Sequence, residues 1–310
     1  MKYARIPGVD KEVSLIVQGT MGGNAEIFDQ AYEVGIRALD TAKVYGNEKI
    51  IGDWLQASGV REDFVVLTKG AHPDNEGNRR CNPTGITEDL DQSLEKLQTN
   101  YIDLFGLHRD NEEVPVSEII DCLHGLCESG LIHAYGVSNW SCARIQEAND
   151  YAKANGKTPF AFSSPNYSLA EQYEVPWADC TTISGPAYKE ERAWYQETQL
   201  PLFTWSSMAS GFLAGLFPED MFANDPDSIP DVPKRCYCGP SNYQRLARAQ
   251  ELADKKGVAL PTIALAFIFS QPLNIFSLVA AQNKSEMLAN IETLDLVLTQ
   301  EELDWLDLKS

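Results

Sequence analysis

Eight short apolar runs punctuate this chain, each followed by polar residues and then by a stretch with helical spacing, and that alternation limits the available folds more than any other feature. The runs occupy residues 15–19, 38–40, 64–68, 101–107, 134–137, 160–163, 202–205 and 275–279. Between them, apolar residues recur at helical intervals from Ala25, and again through 48–55, 84–97, 116–127, 143–154, 243–255 and the unusually apolar 262–269. Thr84 or Thr87 offers a hydroxyl cap to the third helix, and Gly130 closes the fourth as a C′ glycine. Residues 1–13, with Gly8 and Asp10 as turn residues, are expected to form a short hairpin under the strands. Such an alternation predicts parallel β/α units, and closing them gives an α/β fold of the TIM (β/α)8 barrel type, a single domain over 1–310. The competing open doubly wound sheet carries a G-x-G-x-x-G turn after its first strand, a spacing that Gly19-Thr-Met-Gly-Gly23 does not have.

At 310 residues the chain is long enough for one such barrel, which commonly takes about 250. Hydrophobic residues at 44% and charged residues at 23% are the balance of a globular protein with a large core. The formal charge of −20, without a basic patch, argues against nucleic acid as a partner. No apolar run approaches the roughly 18 residues of a membrane span, and Met1-Lys-Tyr-Ala-Arg5 lacks the apolar core of a signal peptide. A cytoplasmic protein with no membrane partner is expected. Seven cysteines at irregular spacing favour reduced thiols over a disulfide framework. Cys236-Tyr-Cys238 has half the ligands of a metal site and no second pair to complete it, so no metal is expected.

Ionisable residues stand where the apolar runs end. Ala38-Leu-Asp-Thr-Ala-Lys-Val-Tyr-Gly46 places Asp40 at a strand end and Tyr45 on the turn that follows; Val65-Val-Leu-Thr-Lys69 ends in a lysine, and Tyr101-Ile-Asp-Leu-Phe-Gly-Leu-His108 in a histidine. Barrel enzymes build their sites at the C-terminal strand ends, so Asp40, Tyr45, Lys69 and His108 are expected to converge there. An ammonium beside a phenol favours the phenolate, so Lys69 is expected to ease proton loss from Tyr45 while Asp40 keeps Lys69 charged. His124 and His133 have no comparable setting and are read as structural or surface residues.

The same segments resemble the aldo-keto reductase family over nearly the whole chain. The strongest are Leu39-Asp-Thr-Ala-Lys-Val-Tyr-Gly-Asn-Glu48, Leu67-Thr-Lys69, Asp103-Leu-Phe-Gly-Leu-His108 and Gly136-Val-Ser-Asn139. Pro165-Asn-Tyr-Ser168, Trp205-Ser-Ser-Met-Ala-Ser-Gly211 and Ala289-Asn290 follow in the family's order. The resemblance implies an oxidoreductase barrel that binds NADP(H) or NAD(H) without a Rossmann domain and acts on a small carbonyl substrate. Asp40, Tyr45, Lys69 and His108 would be its catalytic tetrad, with Tyr45 as general acid and His108 orienting the carbonyl oxygen. A lone strand-end Asp or Lys is more often half of a satisfied ion pair, and a lone buried His merely hydrogen-bonded; four such residues in family order outweigh that reading.

For the cofactor, the resemblance implies Ser138, Asn139 and Ser164 at the carboxamide, the last where a glutamine is usual, and Trp205 stacked on the nicotinamide. Ser206, Ser207, Met208, Ser210 and Gly211 form the turn that would meet the pyrophosphate, with Thr20, Met21 and Asp40 as further contacts. Ala280, Gln282, Lys284, Glu286 and Asn290 belong to the adenosine end. There Ala280-Ala-Gln-Asn-Lys284 replaces the usual glycine- and arginine-bearing segment, leaving Lys284 as the local cation and the choice between NADP and NAD open. His72, three residues past Lys69, and Trp140, directly after Asn139, are candidates for the substrate pocket.

The proline-rich segment 217–239 is long for a connector and is expected to fold over the cofactor as a lid. The chain ends soon after Trp305, so the long C-terminal loop of some relatives is expected to be missing, leaving an open, polar pocket suited to a sugar or another small polar carbonyl. Two other functions stay compatible with these residues: a non-catalytic nicotinamide-binding regulatory subunit, and an isomerase or lyase with tightly held NAD. Oligomeric state is not legible.

Overall fold

The computed structural model describes residues 1–309. An antiparallel hairpin of β1 (Tyr3–Ala4) and β2 (Val13–Ser14) comes first. The strands β3 (Ile16–Gly19), β4 (Ala38–Asp40), β5 (Val65–Gly70), β6 (Ile102–Leu107), β7 (Ile132–Ser138), β8 (Ser163–Ser164), β9 (Leu202–Thr204) and β10 (Ile275–Val279) pair in parallel in chain order. β10 then pairs with β3 and closes the barrel, the architecture that the alternation predicts. Around it run α1 (Ala25–Glu33), α2 (Glu48–Ser58), α3 (Pro83–Leu97), α4 (Val116–Glu128), α5 (Cys142–Ala154) and α6 (Lys189–Thr198). The second half adds α7 (Glu219–Asn224), α8 (Asp231–Tyr237), α9 (Pro240–Lys256), α10 (Leu260–Phe269), α11 (Lys284–Glu292) and α12 (Gln300–Leu306).

Parallel strands covered by helices outside and by side chains inside are buried on both faces, which is why the runs read as continuously apolar. Alternate residues nevertheless go to different clusters. Ala38, Val65, Leu67, Leu104 and Ala134 fill the interior with Phe162, Phe203 and Phe276, whereas Leu39, Val66, Phe105 and Tyr135 pack outward beneath the helices. Inside, Phe203 stacks on Phe276 at 4.9 Å and meets Phe162 edge-on at 5.3 Å. Ile6, Val9 and Val13 join this interior cluster, so the hairpin plugs the barrel's lower end as expected. The same two-residue period decides what stands at the upper end. Beyond Ala38 comes Asp40, beyond Val65 and Leu67 comes Lys69, beyond Leu104 and Gly106 comes His108, and beyond Ala134 and Gly136 comes Ser138.

Three local expectations change. Strand six is regular only at Ser163–Ser164, not over 160–163, although Ala161 N and the Phe162 carbonyl still bond to β7 at 2.8 and 3.2 Å; the Phe162 carbonyl comes so near Gly136 that an added Cβ there would lie 2.4 Å away. α3 is capped by Asn82, whose side chain accepts from Gly85 N, and not by Thr84 or Thr87; Pro83 at the first helical position moves the start upstream. Residues 217–239 are not a free loop either. They form α7, a 3-10 turn and α8, and they bury Ile229, Cys236 and Tyr237.

Helix α2 crosses the end of α3 at Gly52, where an added Cβ would stand 2.5 Å from the Lys96 carbonyl oxygen. Alanine gains up to about 1 kcal/mol of helix propensity over glycine, but overpacking a tight contact costs roughly 1–3 kcal/mol. Gly52→Ala should therefore lower the Tm, while Gly125→Ala in α4, where nothing lies within 4 Å of the added methyl, should hold or raise it. Thermal denaturation of the two variants followed by circular dichroism checks this, and a stabilised Gly52→Ala would contradict the packing described.

Candidate active site

Asp40 and Lys69 end neighbouring strands and meet inside the barrel mouth. Lys69 Nζ donates to Asp40 Oδ1 and, at 3.1 Å, to the Thr41 carbonyl, with both side chains buried. Gly106 on the next strand makes the room, since an added Cβ would press on Lys69 Cγ at 3.2 Å. Burial pushes the Asp40 carboxyl up, and the Lys69 ammonium opposes it.

Tyr45 hangs over this pair from a 3-10 turn, Lys43–Tyr45, ended by Gly46 in the left-handed conformation (φ 72°). Lys43 ties the turn to buried Asp89, and Asn47 ties its far side to Thr20 O at 2.7 Å and to Thr41 Oγ1 at 2.9 Å. Lys69 Nζ lies 5.8 Å from the Tyr45 ring centre, and the His108 ring stands edge-on to Tyr45 at 5.8 Å. The tetrad residues thus share one wall. The proton affinity of Tyr45 differs from expectation, because burial first and the Asp40 carboxylate second push the phenol well above its usual range. The cation that opposes the rise is Arg109, while Lys69 is held by Asp40. His108 is pushed the other way, well below its ordinary value, by burial and then by Lys69, Arg109 and His72, which keeps it neutral.

The wall borders a cavity of about 490 Å³, within the range of small-molecule sites. A profile of the Aldo/keto reductase family matches residues 21–309. The chain belongs to the aldo/keto reductase family. Similar proteins include versiconal hemiacetal acetate reductase of Aspergillus parasiticus, 28% identical over 99% of this chain and 96% of that one. A probable aryl-alcohol dehydrogenase of Saccharomyces cerevisiae is 25% identical over 91% of this chain and 86% of its own. A probable voltage-gated potassium channel subunit beta of Oryza sativa subsp. japonica is 27% identical over 88% and 82%. The family generally uses NAD(P)H on small carbonyl substrates, and this member is an oxidoreductase by descent. No helix among the described residues is long and apolar enough to cross a membrane, and none of their His, Cys, Asp and Glu clusters could hold a metal ion.

In this aldo/keto reductase the cavity passes from the tetrad along Trp205 to the turn after β9, then to the start of α11. Thr20, Met21, Ser138, Asn139, Ser164, Trp205, Ser206, Ser207, Met208, Ser210 and Gly211 all line it, as do Ala280, Glu286 and Asn290. The residues fit a dinucleotide. Ser206, Ala209, Ser210 and Gly211 all have positive φ, 50°, 50°, 53° and 94°, so the turn doubles back tightly, with Ala209 N and Gly211 N donating to the Ser206 and Met208 carbonyls. His108 Nδ1 and Trp205 Nε1 are buried without a partner among the described residues. Asn139, by contrast, already bonds Ser138 Oγ, the His108 carbonyl and Thr181 N, so its amide braces Ser138 and the 181 segment.

Several expected contacts fall elsewhere. Trp140 is packed into the outer core against Phe160 and Arg144, because the chain turns outward into α5 immediately after Asn139. His72 meets His108 edge-on at 5.1 Å and is not among the lining residues. Gln282 bonds back to the Ala280 carbonyl, and Lys284 points away to pair with Glu33 at 2.8 Å; neither lines the cavity. No described residue of 217–239 lines it; the segment packs as helices, with Phe217 beside the lining residue Gly211. The expected polar pocket is instead walled largely by apolar atoms. Arg109 belongs to the lining, as do Trp177 and Cys180 of the long segment 177–188, whose length alone marks it as a candidate to shape the substrate end. Adjacency to His108 could have pointed to Arg109; the other two arrive on a long segment after β8 whose path no periodicity announces.

The depressed His108 sets a pH dependence of stability. Unfolding returns the ring to its ordinary value of 6.5, so below that pH the unfolded chain takes up a proton that the folded one refuses. Stability present above pH 6.5 is lost as the pH falls toward the folded value, by up to about 1.4 kcal/mol per pH unit. Urea melts from pH 7.5 to 5 should show a steeper decline for the wild type than for His108→Gln, and equal slopes would remove His108 from this role.

Proposed function

We propose that this protein reduces small aldehydes or ketones to alcohols with NAD(P)H, Tyr45 donating the proton. What supports the reading most is the convergence of Tyr45, His108 and the Asp40–Lys69 pair on one wall of a cavity that a dinucleotide fits. A phenol held above its usual range stays protonated at neutral pH, the form a proton donor must have. Neutral His108 donates a hydrogen bond to the substrate's carbonyl oxygen and, with Tyr45, bears the negative charge that develops there. Lys69 and Asp40 supply a fixed dipole beneath the phenol, so no charge has to reorganise as the proton leaves. Trp205, Ser138 and Ser164 would hold the nicotinamide, which when bound would supply the hydride. The apolar walls, with Trp177 and Trp205 6.3 Å apart, favour a substrate with an aromatic or aliphatic body over a sugar. The names of the fungal reductase and the yeast aryl-alcohol dehydrogenase agree with that preference.

Tyr45→Phe should lower kcat for aldehyde reduction by about 10²–10⁴, the usual worth of a general acid, with the dissociation constant of NADH or NADPH nearly unchanged. Near-normal turnover by this variant would end the assignment. A non-catalytic subunit, the competing role, would consume no NAD(P)H with any aldehyde.

At the adenosine end the local charges do not favour a 2′-phosphate. Lys284 is engaged by Glu33, and the Glu286 carboxylate lines the cavity while accepting from Gln282 N and Asn283 Nδ2. Without charge-assisted bonds to offset its desolvation, the extra phosphate gains little. The expected outcome is weak discrimination between the two reduced cofactors, or a preference for NADH, in titrations by tryptophan quenching. An NADPH preference above about a hundredfold, roughly 2.7 kcal/mol, would mean that cations elsewhere complete the clamp.

A further inference from the structure

Arg109 follows His108 directly and lines the cavity, only 5% exposed. Three bonds fix its guanidinium: Nε donates to the Ala178 carbonyl at 3.0 Å, Nη1 to the His108 carbonyl at 2.8 Å, and Nη2 to Cys180 Sγ at 3.2 Å. None of these acceptors is a carboxylate. The acids nearest in the two segments are already taken, Asp110 by Arg144 at 3.2 Å and Asp179 by Arg79 at 3.1 Å. Among the described residues Arg109 makes no ion pair, although buried charges are normally paired. One N–H on each of Nη1 and Nη2 is left over, and a guanidinium with two such donors can take up the two oxygens of a carboxylate.

We propose that Arg109 anchors a carboxylate on the substrate, so that the enzyme prefers aldehydes or ketones carrying a carboxylate near the reacting carbonyl over their neutral analogues. The inference rests on the reduction proposed above. Adjacency to His108 puts the anchor beside the group that would hold the carbonyl oxygen, and the influence of Arg109 on the Tyr45 phenol places the guanidinium within electrostatic reach of the reacting end. Trp177 and Trp205 offer apolar faces to the rest of such a molecule. The overall charge of −20 opposes the approach of an anion, but at physiological ionic strength that field is screened beyond about 8 Å, whereas the guanidinium acts at contact. The competing role for Arg109 is mechanical, a clamp on residues 178–180. A clamp would affect every substrate alike; an anchor distinguishes charged from neutral.

The experiment compares para- and meta-carboxybenzaldehyde with benzaldehyde and para-nitrobenzaldehyde, using the wild type, Arg109→Gln and Arg109→Lys. In parallel, benzoate and benzamide are titrated against tryptophan fluorescence without turnover, a signal that Trp177 and Trp205 at the cavity should report. In Arg109→Gln the ratio of kcat/KM for carboxylated over neutral aldehydes should fall roughly tenfold to a hundredfold, the worth of hydrogen bonds to a charged group. The ratio should fall less in Arg109→Lys, and benzoate should bind the wild type more tightly than benzamide. Equal losses for both aldehyde classes, or benzoate binding no tighter than benzamide, would overturn the anchor. Should Arg109→Gln fail to fold, the wild-type titration still decides. Were no aldehyde of either class reduced while benzoate still bound preferentially, the reduction would fall and the anion site would stand.

Discussion

Lys69 and Asp40 face each other from neighbouring strands, shut off from water, and each is tolerable there only because of the other. Losing either partner would leave a buried charge unpaired, a loss of about 3–5 kcal/mol in comparable pairs. The pair therefore couples the registry of β4 and β5 to the electrostatics of the cavity wall. It also explains why Tyr45 keeps its proton. Desolvation, and after it the Asp40 carboxylate of the pair, raise the phenol.

The turn bearing Tyr45 is held from outside the cavity. Asp89 on α3 receives Lys43 from that turn, Arg80 from the preceding loop and the Ala71 N–H just beyond Lys69. Against the desolvation of burial, the hydrogen bonds from Arg80 and Lys43 hold its carboxyl below the usual range. One helix residue thereby joins the Tyr45 turn to the end of the Lys69 strand, and Ala71 accepts a left-handed backbone (φ 59°) to make that contact. Two ion-paired aspartates, one inside the barrel and one behind it, set the placement of lysine and phenol.

Charge along the cavity is uneven in a chemically useful way. The reacting end holds Lys69, Arg109 and a neutral histidine, and the far end holds Glu286 with its near cation turned away to Glu33. Between them lies the positive-φ turn from Ser206 to Gly211. An excess of acids over bases across the chain thus coexists with a locally cationic reaction centre, because short-range groups outweigh screened distant ones.

The residues that could be placed from sequence are those tied to strand ends. A strand's period of two is rigid, so Asp40, Lys69, His108 and Ser138 inherit their inward direction from Ala38, Leu67, Leu104 and Ala134. The positions that were misplaced lie one step beyond such regularity. Trp140 sits where the chain leaves the barrel for α5, and Lys284 sits where a neighbouring helix offers Glu33 as a competing partner. Trp177 and Cys180 reach the cavity on a segment held by long-range bonds from Arg109 and Asn139, contacts that leave no periodic trace. By itself, then, the sequence determined the barrel, through local periodicity and strand order, and the family, through motifs that resemble it. Only the tertiary structure decided which cation acts on Tyr45, that the 217–239 segment packs as helices, and that Arg109 enters the cavity without a counter-ion. Those outcomes depend on burial and on competition among partners far apart in the chain, which no local pattern encodes.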